Sequence, residues 1–241
     1  MSNEKRKGDE HNMAELERKQ GRTRDADRTR QVILDAAEAV FAEHGFDGAR
    51  FDAIAQASGY NRSLIGQYFG DKLGLYTEVN RRLDRDFSEL QARILTPLLE
   101  DETIASDAYR LRTSLKNAMG ALFDYMHDHP HPLRIFVWEQ AEGWQTYVKV
   151  ISQFETGELD QLRTLFSRAQ NAGLLRSDFD PLIQLVLAEQ MCWSYLTSIP
   201  LYQMFHAGED LSSTTAFARA REYITDFIVH GMMVDPEEAE S

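Results

Sequence analysis

The chain has 241 residues, 43% hydrophobic and 27% charged, a balance suited to a globular protein with a sizeable core. Its single cysteine, Cys192, excludes an intrachain disulfide, and the strongly polar N-terminus does not read as a secretory leader. The net charge of −13 does not exclude nucleic acid, because it is unevenly spread: residues 1–93 carry 16 Lys/Arg and 17 Asp/Glu, a balance of −1, whereas residues 94–241 carry 10 and 22, a balance of −12.

Residues 1–26 lack periodic apolar positions and are expected to form a disordered polar tail. Within Arg18 to Arg30, six basic residues (Arg18, Lys19, Arg22, Arg24, Arg28 and Arg30) stand against Asp25 and Asp27. That local excess either sits near phosphates or is simply solvated. From Asp27 onward Val32, Ile33, Ala36, Ala37, Val40 and Phe41 recur at helical spacing, and Gly45 ends the run. Two short helices follow. One spans about Phe51 to Ser58 and is broken by Gly59; the next spans Arg62 to Tyr68, with Asn61 as its N-cap. Asp71 caps a long amphipathic helix marked by Tyr76, Val79, Leu83, Phe87, Leu90 and Ile94, expected to end near Pro97.

The remainder also reads as helical. Leu111, Leu115, Met119, Leu122 and Met126 form a stripe closed by Pro130 and Pro132. A short helix is expected around Leu133–Glu142, then one long or two shorter helices to Gly173. Asp180–Pro181 is an N-cap followed by proline at the first helical position, opening an apolar helix to about Phe205. That window contains Gln184, Glu189, Gln190 and Pro200, so it reads as a buried helix and not a membrane span, and a cytoplasmic location is expected. Ser212 opens a last helix to about Met232. The expected class is all-α with about nine helices: the tail at 1–26, a three-helix DNA-binding domain at 27–74, and a helical ligand-binding and dimerisation domain at 75–235.

The two short helices and their tight turn, braced by the first helix, have the parts of a helix-turn-helix. The segment reads AIAQASGYNRSLIGQYFGDK, Ala53 to Lys72. Ala55 is small where the helices must cross, and Gly59 suits a turn that needs positive φ. Ile54, Ile65 and Phe69 can pack inward, leaving Arg62, Ser63, Gln67 and Tyr68 outward as hydrogen-bonding groups near a helix N-terminus.

The stretch Gln31–Tyr76 resembles the N-terminal domain of the TetR (tetracycline-repressor-like) family, through VILDAAEAVFAEHGFDGA, IAQASGYNRSLI and YFGDKLGLY. The resemblance implies a ligand-responsive homodimeric repressor that binds a palindromic operator in double-stranded DNA, with no enzymatic activity and no cofactor. It places Arg62, Ser63, Leu64, Gln67 and Tyr68 on the DNA face and Lys72 on a phosphate. Arg50 stands where threonine is common; it gives up a favoured cap but can reach a phosphate directly. Leu64 stands where threonine is common and Gly66 where tyrosine is, which weakens the transfer of any base-reading pattern.

The resemblance also implies a cavity for a small hydrophobic or amphipathic effector in the C-terminal helices, with Trp138, Trp144, Tyr147, Phe154 and Trp193 as candidate lining. Apolar residues on more than one face of the last two helices call for a partner surface, and a second copy is the commonest solution. Leu185, Leu196, Ile224, Phe227 and Ile228 are the candidates there. His127, His129 and His131 alternate in HDHPHP; the pattern suits a transition metal but sits where a solvent-facing loop is expected. Glu139 and Glu142 either chelate a cation or face solvent, and solvent is the expectation. Cys192 lies among apolar residues as core. Nucleophile-elbow and P-loop patterns do not occur in the sequence.

Overall fold

The computed structural model describes residues 2–101, 103–151, 157–206 and 208–234. These form ten α-helices: α1 (Ser2–Gly48), α2 (Phe51–Ser58), α3 (Arg62–Phe69), α4 (Lys72–Glu100), α5 (Ala108–Asp128), α6 (Pro130–Ala141), α7 (Gln145–Ile151), α8 (Gly157–Asn171), α9 (Pro181–Gln203) and α10 (Thr214–Met232), with a 3-10 turn at Ile104–Ser106. The all-α class therefore holds. The only β pairing among the described residues is an isolated bridge between Leu175 and Met233.

The chain divides into two compact units, residues 1–82 and 83–241. The division falls inside α4 and not at the expected 74/75 boundary. The reason lies in the first turns of α4. Leu75, Tyr76 and Val79 are buried, Arg30 pairs with Glu78, and Arg82 holds both Asp35 and Glu38, so these turns belong to the first unit.

In that first unit Ile33, Leu34, Ala37 and Phe41 of α1 are sealed from solvent together with Ile54 of α2 and Ile65 of α3. Each large apolar side chain buried in this way contributes about 1.5–3 kcal/mol. Phe41, Phe46 and Tyr76 pack ring to ring, with Tyr76 4.8 Å from Phe41 and 5.0 Å from Phe46. Gly45 breaks the helical path with φ 68°, as its sequence position suggested. The tail expectation needs revision, because α1 is helical from Ser2. Residues 2–26 are rich in Glu, Lys and Arg, which favour helix without any apolar stripe; hydrophobic periodicity could not reveal a helix that carries no such stripe.

In the second unit α5 is central. Its Leu111, Leu115, Met119, Leu122 and Phe123 meet Leu162, Phe166 and Ala169 of α8, Ala188 and Cys192 of α9, and Ile224, Ile228 and Val229 of α10 in one buried cluster. Asp180 caps α9 by accepting from the Leu182 and Ile183 amides, with Pro181 at the first position as expected. The prolines at 130 and 132 do not make a loop; they begin α6, where a missing amide costs nothing. Likewise α4 runs through Pro97 to Glu100 and α9 through Pro200 to Gln203.

Candidate nucleic-acid interface

Helix α2 starts at Arg50, whose extended backbone offers its carbonyl to the Ala53 and Ile54 amides while its side chain makes no cap. Gly59 turns the chain in the left-handed region, φ 73°. Asn61 then caps α3, its Oδ1 accepting from the Leu64 amide at 2.8 Å. Ile65 and Phe69 are buried beneath α3, which fixes the opposite face outward. Arg62, Ser63 and Gln67 are exposed there, and Leu64 and Tyr68 partly so. The exposed face is thus the one proposed to read bases, and Arg50 is exposed beside it.

Two contacts were not legible beforehand. Arg62 is paired with Asp52 of α2, Nη1 to Oδ1 at 3.3 Å, and lies over the Phe51 ring, 5.8 Å from its centre. Gly74 is the second. A Cβ there would stand 2.2 Å from the Phe69 carbonyl oxygen, so only glycine lets the end of α3 approach the first turn of α4. Asp71 caps that turn, Oδ1 accepting from the Gly74 amide at 2.8 Å.

Lys72, expected on a phosphate, makes its contacts here within its own unit. Its ammonium donates to the carbonyls of Phe46, Asp47 and Ala49 at 2.9, 3.3 and 3.3 Å, and lies 4.6 Å from the centre of the Phe46 ring. An ammonium has three donors, and all three are used on carbonyls left open where α1 ends. Arg30 sits over Phe69 and on Glu78. Arg24 and Arg28 are exposed, while Arg18, Lys19 and Arg22 lie outside the residues whose side chains are described.

In the second unit the candidate lining residues separate. Trp144 and Tyr147 come together, 5.8 Å apart, with Phe136 5.3 Å from Tyr147 and 6.4 Å from Trp144. Gly143 and Trp144 both adopt positive φ, 74° and 63°, and the Trp144 amide reaches back to the Glu139 carbonyl at 2.7 Å. Trp193 is buried, whereas Trp138 is 37% exposed. Phe154 lies outside the described residues.

Glu139 corrects its expected solvent-facing role. It is 1% exposed, and its Oε2 accepts from the Tyr147 amide at 3.0 Å, closing the start of α7. Burial pushes the Glu189 carboxyl up to about 7 and, with the charge of Glu189 adding to it, the Cys192 thiol up to about 12. Cys192 is core, as read from the sequence. His127 packs tilted against Phe217 and His129 stacks on Tyr125, so these two rings lie on separate aromatic partners.

The expected dimer residues also redistribute. Ile224 and Ile228 are buried in their own chain, with Leu185 and Leu196 packed partly against the same core. Of the five, only Phe227 is outward, 56% exposed. Apolar residues encircle α9, and sequence alone did not say which of its faces was inner. The outward apolar positions include Ile183, Val186, Leu187, Met191 and Leu201 on α9, and Tyr223 and Phe227 on α10. No helix among the described residues is long and apolar enough to cross a membrane.

Comparison with known proteins agrees with this geometry. Residues 33–79 match the model for bacterial regulatory proteins of the tetR family, and residues 112–228 match the tetracyclin repressor-like C-terminal domain. The chain is 28% identical over 213 residues to the HTH-type transcriptional repressor NicS of Pseudomonas putida, spanning 88% of this chain and 95% of that one. It is 34% identical over 119 residues to the HTH-type transcriptional repressor SCO4008 of Streptomyces coelicolor, spanning 49% and 53%. The crystal structure of Streptomyces coelicolor SCO4942 superposes with a TM-score of 0.56 at 27% identity, covering 85% of this chain and 98% of that one. Both units match the corresponding parts of one family, and the chain belongs to the TetR family of DNA-binding transcriptional regulators, which are not enzymes.

Proposed function

We propose that the protein is a cytoplasmic homodimeric repressor that binds a palindromic operator and is released from it by a small hydrophobic or amphipathic effector. The observation that carries this reading is the outward face of α3, where Arg62, Ser63 and Gln67 are exposed beside Asn61 at the helix start. Side chains that can make bidentate bonds at a helix N-terminus fit the major groove. Arg62 and Gln67 read bases, Tyr68 and Arg50 meet the backbone, and Leu64 faces a thymine methyl or the edge of the core. Lys72 acts indirectly, by holding the α1 end against the start of α4 so that α3 is presented correctly.

Symmetry follows from need. One short recognition helix meets too few base pairs for specificity, and two related by a two-fold axis read two half-sites. The outward stripe of Ile183, Val186, Leu187 and Met191, with Tyr223 and Phe227, is the surface on which the second copy seats. Effector binding in the second unit must favour a form of the dimer that holds DNA less well, since a ligand with no preference between forms shifts nothing. Helix α4, whose residues belong to both units, is the covalent route between them.

Selection of bound duplexes from a random pool tests the reading. A palindromic consensus bound with a steep salt dependence supports it. Enrichment of no sequence, or binding by a species that sediments as a monomer, overturns it.

A further inference from the structure

Asp52 of α2 stands beside the helix proposed to meet base edges, and it is the only acidic residue from Arg50 to Gly70. It is exposed, in the first turn of α2. Its carboxylate turns to Arg62, the first residue of α3 and the only basic residue from Phe51 to Asp71. Both Asp52 oxygens lie against Nη1 of Arg62, Oδ1 at 3.3 Å and Oδ2 at 3.4 Å. The guanidinium also lies over the Phe51 ring, its central carbon 5.8 Å from the ring centre. Two neighbouring residues of α2 therefore hold the one arginine at the start of α3.

Stability does not explain this pair. Both side chains are mostly accessible, and an ion pair in that setting adds little. Attraction to the DNA backbone does not explain it either. A carboxylate on this face opposes phosphates, and an asparagine in its place would draw duplexes of any sequence more strongly. What the pair alters is how Arg62 is used. A guanidinium has five N–H donors in a fixed fork. Asp52 takes the Nη1 end, which leaves Nη2 and Nε without a partner among the described residues. Two parallel donors match the N7 and O6 acceptors of guanine, whereas adenine sets a donor beside its N7. A phosphate would have to draw the arginine away from Asp52 and approach a like charge. A fork that is already held also loses less freedom on binding.

We propose that Asp52 is a positioning residue for DNA recognition: by holding Nη1 of Arg62 it directs the free edge of the guanidinium to N7 and O6 of one guanine in each half-site and opposes its use on phosphate. This role rests on α3 being the base-reading helix, and adds to it the base that is read and the residue that enforces the choice.

The test uses the full-length protein, with duplexes selected from a random pool by wild type, Asp52→Asn, Arg62→Ala and the double variant. Wild type is expected to enrich a palindrome with a guanine at one position of each half-site, where any other base weakens binding at least about tenfold. In Asp52→Asn and in Arg62→Ala that preference is expected to fall to about threefold or less, with no further loss in the double variant and no change at the other positions. A second measurement alters the DNA alone. 7-Deazaguanine at that position keeps O6 and base pairing but lacks N7; it is expected to weaken wild type about tenfold and Asp52→Asn by about twofold at most. A lower Tm in Asp52→Asn with the guanine preference intact overturns the proposal, since Asp52 would then serve only the start of α2. A preference lost in Asp52→Asn but kept in Arg62→Ala also overturns it, because Asp52 would then read a base itself. So does a consensus with no guanine that depends on Arg62. Enrichment of no sequence by wild type sinks base reading by α3 and the proposal with it, whereas the same palindrome enriched with equal preference by wild type and Asp52→Asn sinks the proposal alone.

Discussion

Lys72 donates to the Phe46 carbonyl at 2.9 Å while its ammonium lies over the Phe46 ring, so one side chain grips both the backbone and the side chain of the residue just past the kink in α1. A lysine at the start of α4 therefore acts as a clamp inside the DNA-binding unit. Lys72→Ala leaves three carbonyls without their donor and is expected to cost about 1–3 kcal/mol of stability, seen as a lower Tm. The slope of log affinity against log salt should stay the same. A slope reduced by about one, with Tm unchanged, would restore the phosphate role.

Arg62 and Asp52 form an exposed pair, with side chains 63% and 73% accessible, so it adds little to stability. Arg62→Ala should leave Tm nearly unchanged yet cost about 1–3 kcal/mol on the selected duplex and relax preference at one position. Asp52→Asn removes a negative charge from the DNA-facing side and frees Arg62. Affinity should rise for all duplexes, and the ratio of specific to non-specific binding should fall. Fluorescence anisotropy with matched and scrambled duplexes measures both.

Gly74 stands where an added Cβ would collide with the Phe69 carbonyl oxygen. Gly74→Ala places a methyl 2.2 Å from a carbonyl oxygen that cannot swing away as a side-chain tip would. A loss of about 1–3 kcal/mol is expected despite the better helix propensity of alanine, together with weaker specific DNA binding. Stabilisation by this change would show that α3 and α4 are less tightly joined than described.

Phe227 and Ile228 are neighbours in sequence with opposite tasks. Phe227 is 56% exposed and Ile228 5%. Phe227→Glu is expected to give a helical monomer that has lost specific DNA binding. Ile228→Glu buries a charge in the core and should unfold the second unit. Sedimentation and circular dichroism separate the two; a dimeric Phe227→Glu variant would exclude this face from the interface.

Glu189 links stability to pH. Its carboxyl is raised to about 7 in the folded state, above its ordinary value, so between those values the folded chain holds a proton that the unfolded chain has released. Stability attributable to this group is present in acid and is lost as pH rises to about 7. Glu189→Gln should therefore leave Tm nearly unchanged near pH 4.5 and raise it at pH 8, by a free energy on the order of 3 kcal/mol at most. An equal shift at both pH values would mean that the carboxyl titrates normally.

Most of the DNA-binding unit was legible because its signals are local. Asn61, Gly59, Asp71 and the spacing of Ile54, Ile65 and Phe69 act within a few residues, and α2 and α3 lie almost where these placed them. Lys72 was assigned by position in a motif, and its carbonyl partners lie 23 to 26 residues away. The cost of Gly74 depends on a contact with Phe69 that no pattern records.

By itself the sequence determined the helical class, the caps and the outward polar face of α3, because each depends on hydrogen bonds and periodicity within one or two turns. Tertiary structure alone decided which side of an apolar helix is inner. In α9 every face is apolar, so burial of Ala188 and Cys192 and exposure of Ile183, Val186 and Leu187 follow only from where α5 and α8 lie. The burial of Glu139 is likewise a matter of tertiary structure. Glu189 reads as solvated in the sequence until other helices close around it, and low dielectric, a property of all that surrounds the group, then raises its carboxyl to about 7.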